Sequence, residues 1–276
     1  MPVLLATFQT ALNGIFDFLL APFGHGAFWF DLIFWPTLLG IGALQVYKHV
    51  SNQKAIAAVK RQISMHLLEI RLFRDDIAQV LISTGKIVVK NFRYIGHNLA
   101  PLLVMIVPMV LIMVQLVSHY AYRPSELGAI EVLRVKLDTE AEVGPRAVSL
   151  TLPPGVLLDA PPVRTADGQV FWRLRAQEPG DHVLSVHVGD ETLEKGWAVG
   201  GANRKIPVKR LQSWEALLYP GEASIPPGSA VHSLELVGDT RSLSWMPDGE
   251  GGILLWAMLV SMLAGIALKD VFGVTL

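Results

Sequence analysis

Three apolar stretches of similar length divide the chain. They are Ala27–Val46 (AFWFDLIFWPTLLGIGALQV), Leu99–Val117 (LAPLLVMIVPMVLIMVQLV) and Ile253–Val271 (ILLWAMLVSMLAGIALKDV). Each is close to the ~20 residues that a helix needs to cross a ~30 Å hydrocarbon layer. Lipid offers no water to backbone N–H and C=O groups, so a spanning stretch of this kind must be helical. Charged residues make up 17% of the 276, against about 25% in a typical soluble domain. The expected fold class is a membrane α-helical protein with three transmembrane helices, at 27–46, 99–117 and 253–271. Cysteine is absent, which excludes disulfides, thiolate metal sites and a cysteine nucleophile.

Charge sets the expected topology. The loop after the first span carries Lys48, Lys54, Lys60, Arg61, Arg71, Arg74, Lys86, Lys90 and Arg93 against Glu69, Asp75 and Asp76. Nothing before the first span is basic. Basic short loops stay on the cytoplasmic side, so the loop and the C-terminus are expected inside. The N-terminus and the long segment between spans two and three are expected outside, and in a bacterium the membrane is the inner one. Phe28, Trp29, Phe30, Tyr120, Tyr122 and Trp256 occupy positions favoured at a headgroup boundary. Residues 1–22 lack the basic start of a secretory signal. Phe8, Leu12, Ile15, Phe16, Leu19 and Leu20 oppose Gln9, Asn13 and Asp17, as in an amphipathic helix lying in the interface; a fourth span is the alternative.

Residues 48–97 contain no proline. Ile56, Val59, Ile63, Leu67 and Ile70 recur at helical spacing. Phe73–Asp76 reads as a turn, with Asp75 as N-cap of a returning helix to about Tyr94. Ile77, Val80, Leu81, Val88 and Phe92 are expected to pack on the first arm, giving a cytoplasmic helical hairpin of coiled-coil type. Lys60, Arg61, Arg71, Arg74, Lys86, Lys90 and Arg93 form either a solvated face or a surface for anionic lipid or ribosomal RNA. Near an anionic leaflet each basic group is worth ~1 kcal/mol.

In the second span Pro101 suits a helix start, and Pro108 is expected to kink the helix or open its ladder. Met105, Met109 and Met113 repeat every four residues and share a face, with Gln115 just beyond. Methionine adapts to varied apolar partners, so this face fits ordinary packing or a groove for hydrophobic client helices. Asp31 lies near the outer end of the first span. An ionisable group there either reaches the interface or is functional.

From about Gly128 the pattern shifts to period two with Gly/Pro punctuation. Strands are expected at Ile130–Leu137, Ala147–Leu152, Val156–Leu158, Val170–Ala176, His182–Val188 and Leu193–Val199. Residues 128–200 are thus expected to form an extracytoplasmic all-β sandwich, with Trp172 in its core and Glu191, Glu194 and Lys195 in a solvated turn. The segment EPGDHVLSVHV from Glu178 resembles the strand entry of immunoglobulin-like domains. Residues 201–250 read as a linker. It contains an amphipathic helix (Leu211, Trp214, Leu217, Leu218) and a last hairpin of Val231–Leu236 with Arg241–Trp245.

No HExxH, Walker A, GxSxG or GxGxxG motif is present. His182 and His187 fall on opposite strand faces. No cofactor, metal or catalytic residue is expected, and the expected role is non-catalytic.

An interfacial helix, a span, a helical hairpin and a proline-containing span follow in order over residues 1–118. That order, with Pro101, Pro108 and Met109 in Leu99–Leu116, resembles the YidC/Oxa1/EMC3 superfamily of membrane insertases. The resemblance implies an insertase-like or chaperone-like protein. Met105, Met109, Met113 and Gln115, with Asp31, would offer a groove to hydrophobic client helices, and the hairpin would meet clients or ribosomes. Bacterial members carry a positive residue in the first core helix, whereas no Arg or Lys lies between Met1 and Val46 here. That difference supports the alternative, an accessory subunit stabilising a larger membrane complex through its outer β-domain and inner hairpin. The expected partners are membrane lipids and other membrane proteins, with nucleic acid met only through a ribosome. A ligand sensor built on the sandwich has no ligand constellation behind it.

Overall fold

The computed structural model describes residues 2–20, 28–138, 147–201, 204–243 and 245–274. Among the described residues, five α-helices and eight strands follow in the order α1 (Pro2–Leu20), α2 (Phe28–Val50), α3 (Gln53–Leu72), α4 (Ile77–Tyr120), β1 (Ile130–Leu137), β2 (Val148–Thr151), β3 (Val156–Arg164), β4 (Gln169–Ala176), β5 (Gly180–Val188), β6 (Glu191–Val199), β7 (Lys209–Leu211), β8 (Val231–Val237) and α5 (Glu250–Leu268). α2, α4 and α5 are long and apolar enough to cross a membrane. The chain divides into two compact units, Met1–Asp31 with Met113–Trp256, and Leu32–Ile112 with Ala257–Leu276.

The first unit holds the strands, in two antiparallel sheets ordered β3-β4-β1-β8-β7 and β2-β5-β6. Alternation drives this arrangement. In β1, Leu133, Val135 and Leu137 are buried while Ile130, Val132 and Lys136 are exposed. Both sheets contribute to one core, which includes Leu133, Val170, Trp172, Leu184, Val186, Trp197 and Leu234. β3 runs on to Arg164 rather than ending at Leu158. Its Pro161 and Pro162 interrupt the register against β4, and an edge strand tolerates the missing donors.

Residues 209–218 differ from the expected amphipathic helix. Lys209–Leu211 pairs with β8 as an edge strand. Ser213 then takes a positive φ of 76°, which ends the strand, and Trp214–Leu218 is a single 3₁₀ stretch. The last hairpin does not form either: the described residues from Arg241 to Trp245 are not strand. Instead the N–H of Arg241 donates to the carbonyl of Ala121, and that of Gly249 to the carbonyl of Arg241.

Lys195 is a further correction. It is fully buried, not in a solvated turn. On β6 it has the parity of Leu193 and Trp197, so the pleat points it inward. Its Nζ donates to Glu222 Oε2 at 2.7 Å and to the carbonyl of Pro207, and Glu222 Oε1 accepts the N–H of Gly196 at 2.6 Å. Burial pushes the ammonium pKa down, and Glu222 opposes that shift.

In the second unit α2 and α5 approach closely. A Cβ on Gly40 would lie 2.3 Å from the carbonyl oxygen of Ser261, and one on Gly265 would lie 3.9 Å from Leu44. Small residues four apart (Ser261, Gly265) let helices meet backbone to backbone where lipid supplies no hydrophobic drive. α5 ends at Leu268, and the turn that follows closes at Gly273, whose φ of 63° suits glycine. The N–H of Val274 then donates to the carbonyl of Lys269 at 2.8 Å. Lys48 Nζ donates to the carbonyl of Phe272 at 2.7 Å, tying α2 to this cap.

Candidate functional site

The helical hairpin belongs to the second unit and is built from α3 and the first half of α4. Asn52 caps α3, its side chain accepting the N–H of Ala55. The returning helix is capped by Asp76 rather than Asp75: Asp76 Oδ1 accepts the N–H of Gln79 at 3.1 Å. α4 then continues unbroken for 44 residues through Pro101 and Pro108. Pro101 therefore lies in a helix interior, not at a start. Each proline lacks an N–H, which removes one bond from the ladder.

The arms are joined through a polar link. Ser83 is fully buried, and its hydroxyl donates to Glu69 Oε2 at 2.9 Å. His66 Nδ1 lies 2.9 Å from the same oxygen. The hydrogen bonds from His66 and Ser83 hold the Glu69 carboxyl below its usual pKa. Ile56 and Val59 are buried at the base of the first arm.

Most of the apolar side chains face outward. Leu67, Leu68 and Leu72 on the first arm are exposed, as are Ile77, Leu81, Val88 and Phe92 on the second. Of the five residues expected to seal the arms together, Val80 is half-buried and the other four are exposed. Two helices in contact can each bury only one stripe. Both arms carry more apolar residues than one stripe holds, and the surplus is left outside. Counting apolar residues against that single stripe would have shown this from the sequence.

Lys60, Arg61, Arg71, Arg74, Lys86 and Arg93 are exposed, and Lys90 is half-buried. The three acids of the segment are engaged. Glu69 accepts from Ser83, Asp76 caps α4, and Asp75 lies 3.8 Å from Arg74 in a solvent-exposed pair of little energetic weight. Eight basic groups from Lys54 to Arg93 against three acids leave the hairpin positively charged.

The groove candidates have separate surroundings. Met105 packs with Leu44, Tyr47 and Ile56 in the second unit's core, and Met109 is half-buried. Met113, in the first unit, is buried. Gln115 is 2% exposed and donates to Asn13 Oδ1 at 2.8 Å. Asp31 is 1% exposed, so it does not reach outward to solvent. It is hydrogen-bonded to the hydroxyl of Tyr120. Around it the Phe28 ring lies 6.2 Å from that of Tyr120, tilted by 57°, and the Arg241 guanidinium sits 4.3 Å from the Phe28 ring centre. Among the described residues no group of three or more His, Cys, Asp or Glu is placed to hold a metal ion.

No family model, curated protein or solved structure matches this chain. The functional reading therefore rests on its own residues.

Proposed function

We propose that this chain is a non-catalytic integral membrane protein that holds other membrane proteins in place, as an accessory subunit of a larger membrane assembly. The hairpin carries the proposal. Most of its large apolar side chains are outside, its polar link is inside, and its flanks are basic. That pattern suits a hydrophobic partner beside an anionic leaflet. Lipid exposure of the long helices is supported by burial: only 33%, 28% and 22% of the apolar windows of α2, α4 and α5 are covered by protein. Surfaces so apolar require lipid or partner helices around them.

In this proposal the hairpin and C-terminus are cytoplasmic by the positive-inside rule. The N-terminus and the β region lie outside, and the membrane is a bacterial inner membrane. The β region is an immunoglobulin-like sandwich, a reading supported by two sheets closing on Trp172 and Trp197. It offers the grip on an outer partner.

The insertase-like reading keeps one supporting observation, the order α1, α2, hairpin and proline-containing α4. The burial of Gln115 and the packing of Met105 favour the accessory role, because a client groove needs these groups open. Purification of the full chain in mild detergent separates the two. The accessory role predicts a fixed-stoichiometry membrane complex, reduced at least tenfold by Leu68→Ser, Leu81→Ser and Phe92→Ser together. Ribosomes and mixed nascent membrane proteins would support the insertase-like reading instead. A chain recovered alone, at every detergent strength, would contradict both.

A further inference from the structure

Helix α1 turns its polar side toward the protein. Gln9, Asn13 and Asp17 stand four residues apart and share one face. Each finds a partner in the first unit. Gln9, 5% exposed, donates through Nε2 to the carbonyls of Ala216 and Glu222, both at 3.2 Å. Asn13 Oδ1 accepts from Gln115 Nε2 at 2.8 Å. Asp17 Oδ1 lies 3.1 Å from Lys205 Nζ and 3.3 Å from His119 Nε2. Lys205 also donates to Gln115 Oε1 at 3.4 Å. Asp17 is the one charged side chain in the helix.

The other side is bare and apolar. Phe8, Ile15 and Phe18 are 47%, 58% and 77% exposed. A helix resting alone at a membrane surface turns its polar stripe to water. Here that stripe is consumed by the β-bearing unit. Two of the partners, Gln115 and His119, belong to the last turns of α4, one of the membrane-length helices. Those contacts put α1 level with the end of a span, where an uncharged apolar face meets acyl chains.

We propose that α1 is a lipid-seated strut, with Phe8, Ile15 and Phe18 in the acyl region and Gln9, Asn13 and Asp17 clasping the β-bearing unit above. Through it the bilayer supports that unit at a point separate from the three spans. The inference rests on the membrane reading above, so its test carries its own control.

The chain has no cysteine, so single labels report cleanly. Spin labels at Ile15→Cys and Phe18→Cys in the full chain, reconstituted in phosphatidylcholine vesicles, are exposed to oxygen and to an aqueous nickel chelate. Phe8→Cys repeats the measurement if either variant fails to fold. Met262→Cys, at an exposed position of α5, reports whether the chain is in the bilayer at all. The strut predicts that collisions with oxygen are retained and collisions with the chelate are lost at residues 15 and 18, as at 262. Chelate collisions at 15 and 18 with a lipid-shielded 262 would overturn the strut and leave the membrane reading standing. Shielding from both reagents at 15 and 18 would mean cover by a protein surface, and would also overturn it. Chelate collisions at 262 would remove both readings.

Discussion

Two buried ionisable groups in the β-bearing unit, Glu131 and Lys195, give it testable responses to pH and mutation. Glu131 is 6% exposed. Its Oε1 accepts from Ser125 Oγ, which in turn accepts from Trp197 Nε1, both at 2.9 Å. Burial pushes its carboxyl up to about 7 from 4.5, against the Ser125 hydrogen bond and with help from Asp239. The folded state therefore keeps a proton that the unfolded chain releases near 4.5. Stability from this group is complete below that value and is lost as pH rises toward about 7. Glu131→Gln should flatten the fall in Tm between pH 5 and 8 relative to the parent. Parallel curves would refute the assignment. At Lys195 the ion pair with Glu222 is internal, and removing one partner strands the other. Lys195→Met should cost about 3–5 kcal/mol, read by chemical unfolding in detergent. A double variant with Glu222→Leu should recover much of it. This site was legible in the period-two parity of Leu193, Lys195 and Trp197. Local charge density at Glu191 and Glu194 pointed the other way and misled.

At the scale of elements, periodicity announced most strands and the three long helices. It did so because apolar alternation and uninterrupted apolar length are local properties. What stayed hidden depends on distant partners. β7 pairs with β8 across some twenty residues of chain, and three residues carry too little pattern to announce it. The hairpin's outward face was misjudged because heptad-like spacing says which residues align, not which side meets the other arm. The α2–α5 contact was not read from the sequence: Ser261 and Gly265, four apart, are its one local signal, and nothing local names Gly40 as the partner. Gly40→Leu would drive a side chain into the backbone at Ser261. A loss of about 1–3 kcal/mol is expected for such overpacking, seen as a lower Tm in detergent. Gly42→Ala, with nothing within 4 Å of its Cβ, should be neutral or stabilising, since alanine favours a helix by up to about 1 kcal/mol over glycine. Equal effects at the two positions would contradict the packing. Asp76→Ala should weaken the start of α4 by about 1 kcal/mol through loss of its cap, visible as faster amide exchange at Gln79. Asp75→Ala should leave that exchange unchanged.

For the whole molecule, one physical theme joins the N-terminal helix and the hairpin. Each places uncharged polar groups or a carboxylate in an internal contact and leaves large apolar side chains exposed, although the hairpin also carries exposed basic groups. With long helices mostly uncovered by protein, this arrangement calls for a hydrophobic surrounding on several sides of the chain. The proposed accessory role adds that the basic hairpin and the β region lie in opposite compartments, each with its own partner. The direct test uses the absence of native cysteine. Gly85→Cys in the hairpin and Asp190→Cys between β5 and β6 are treated in intact cells with a membrane-impermeant maleimide, then again after permeabilisation. Labelling of Asp190→Cys in intact cells, and of Gly85→Cys only after permeabilisation, is the predicted result. Both positions labelled under the same condition would place hairpin and β region on one side, and would contradict the membrane crossing by α4.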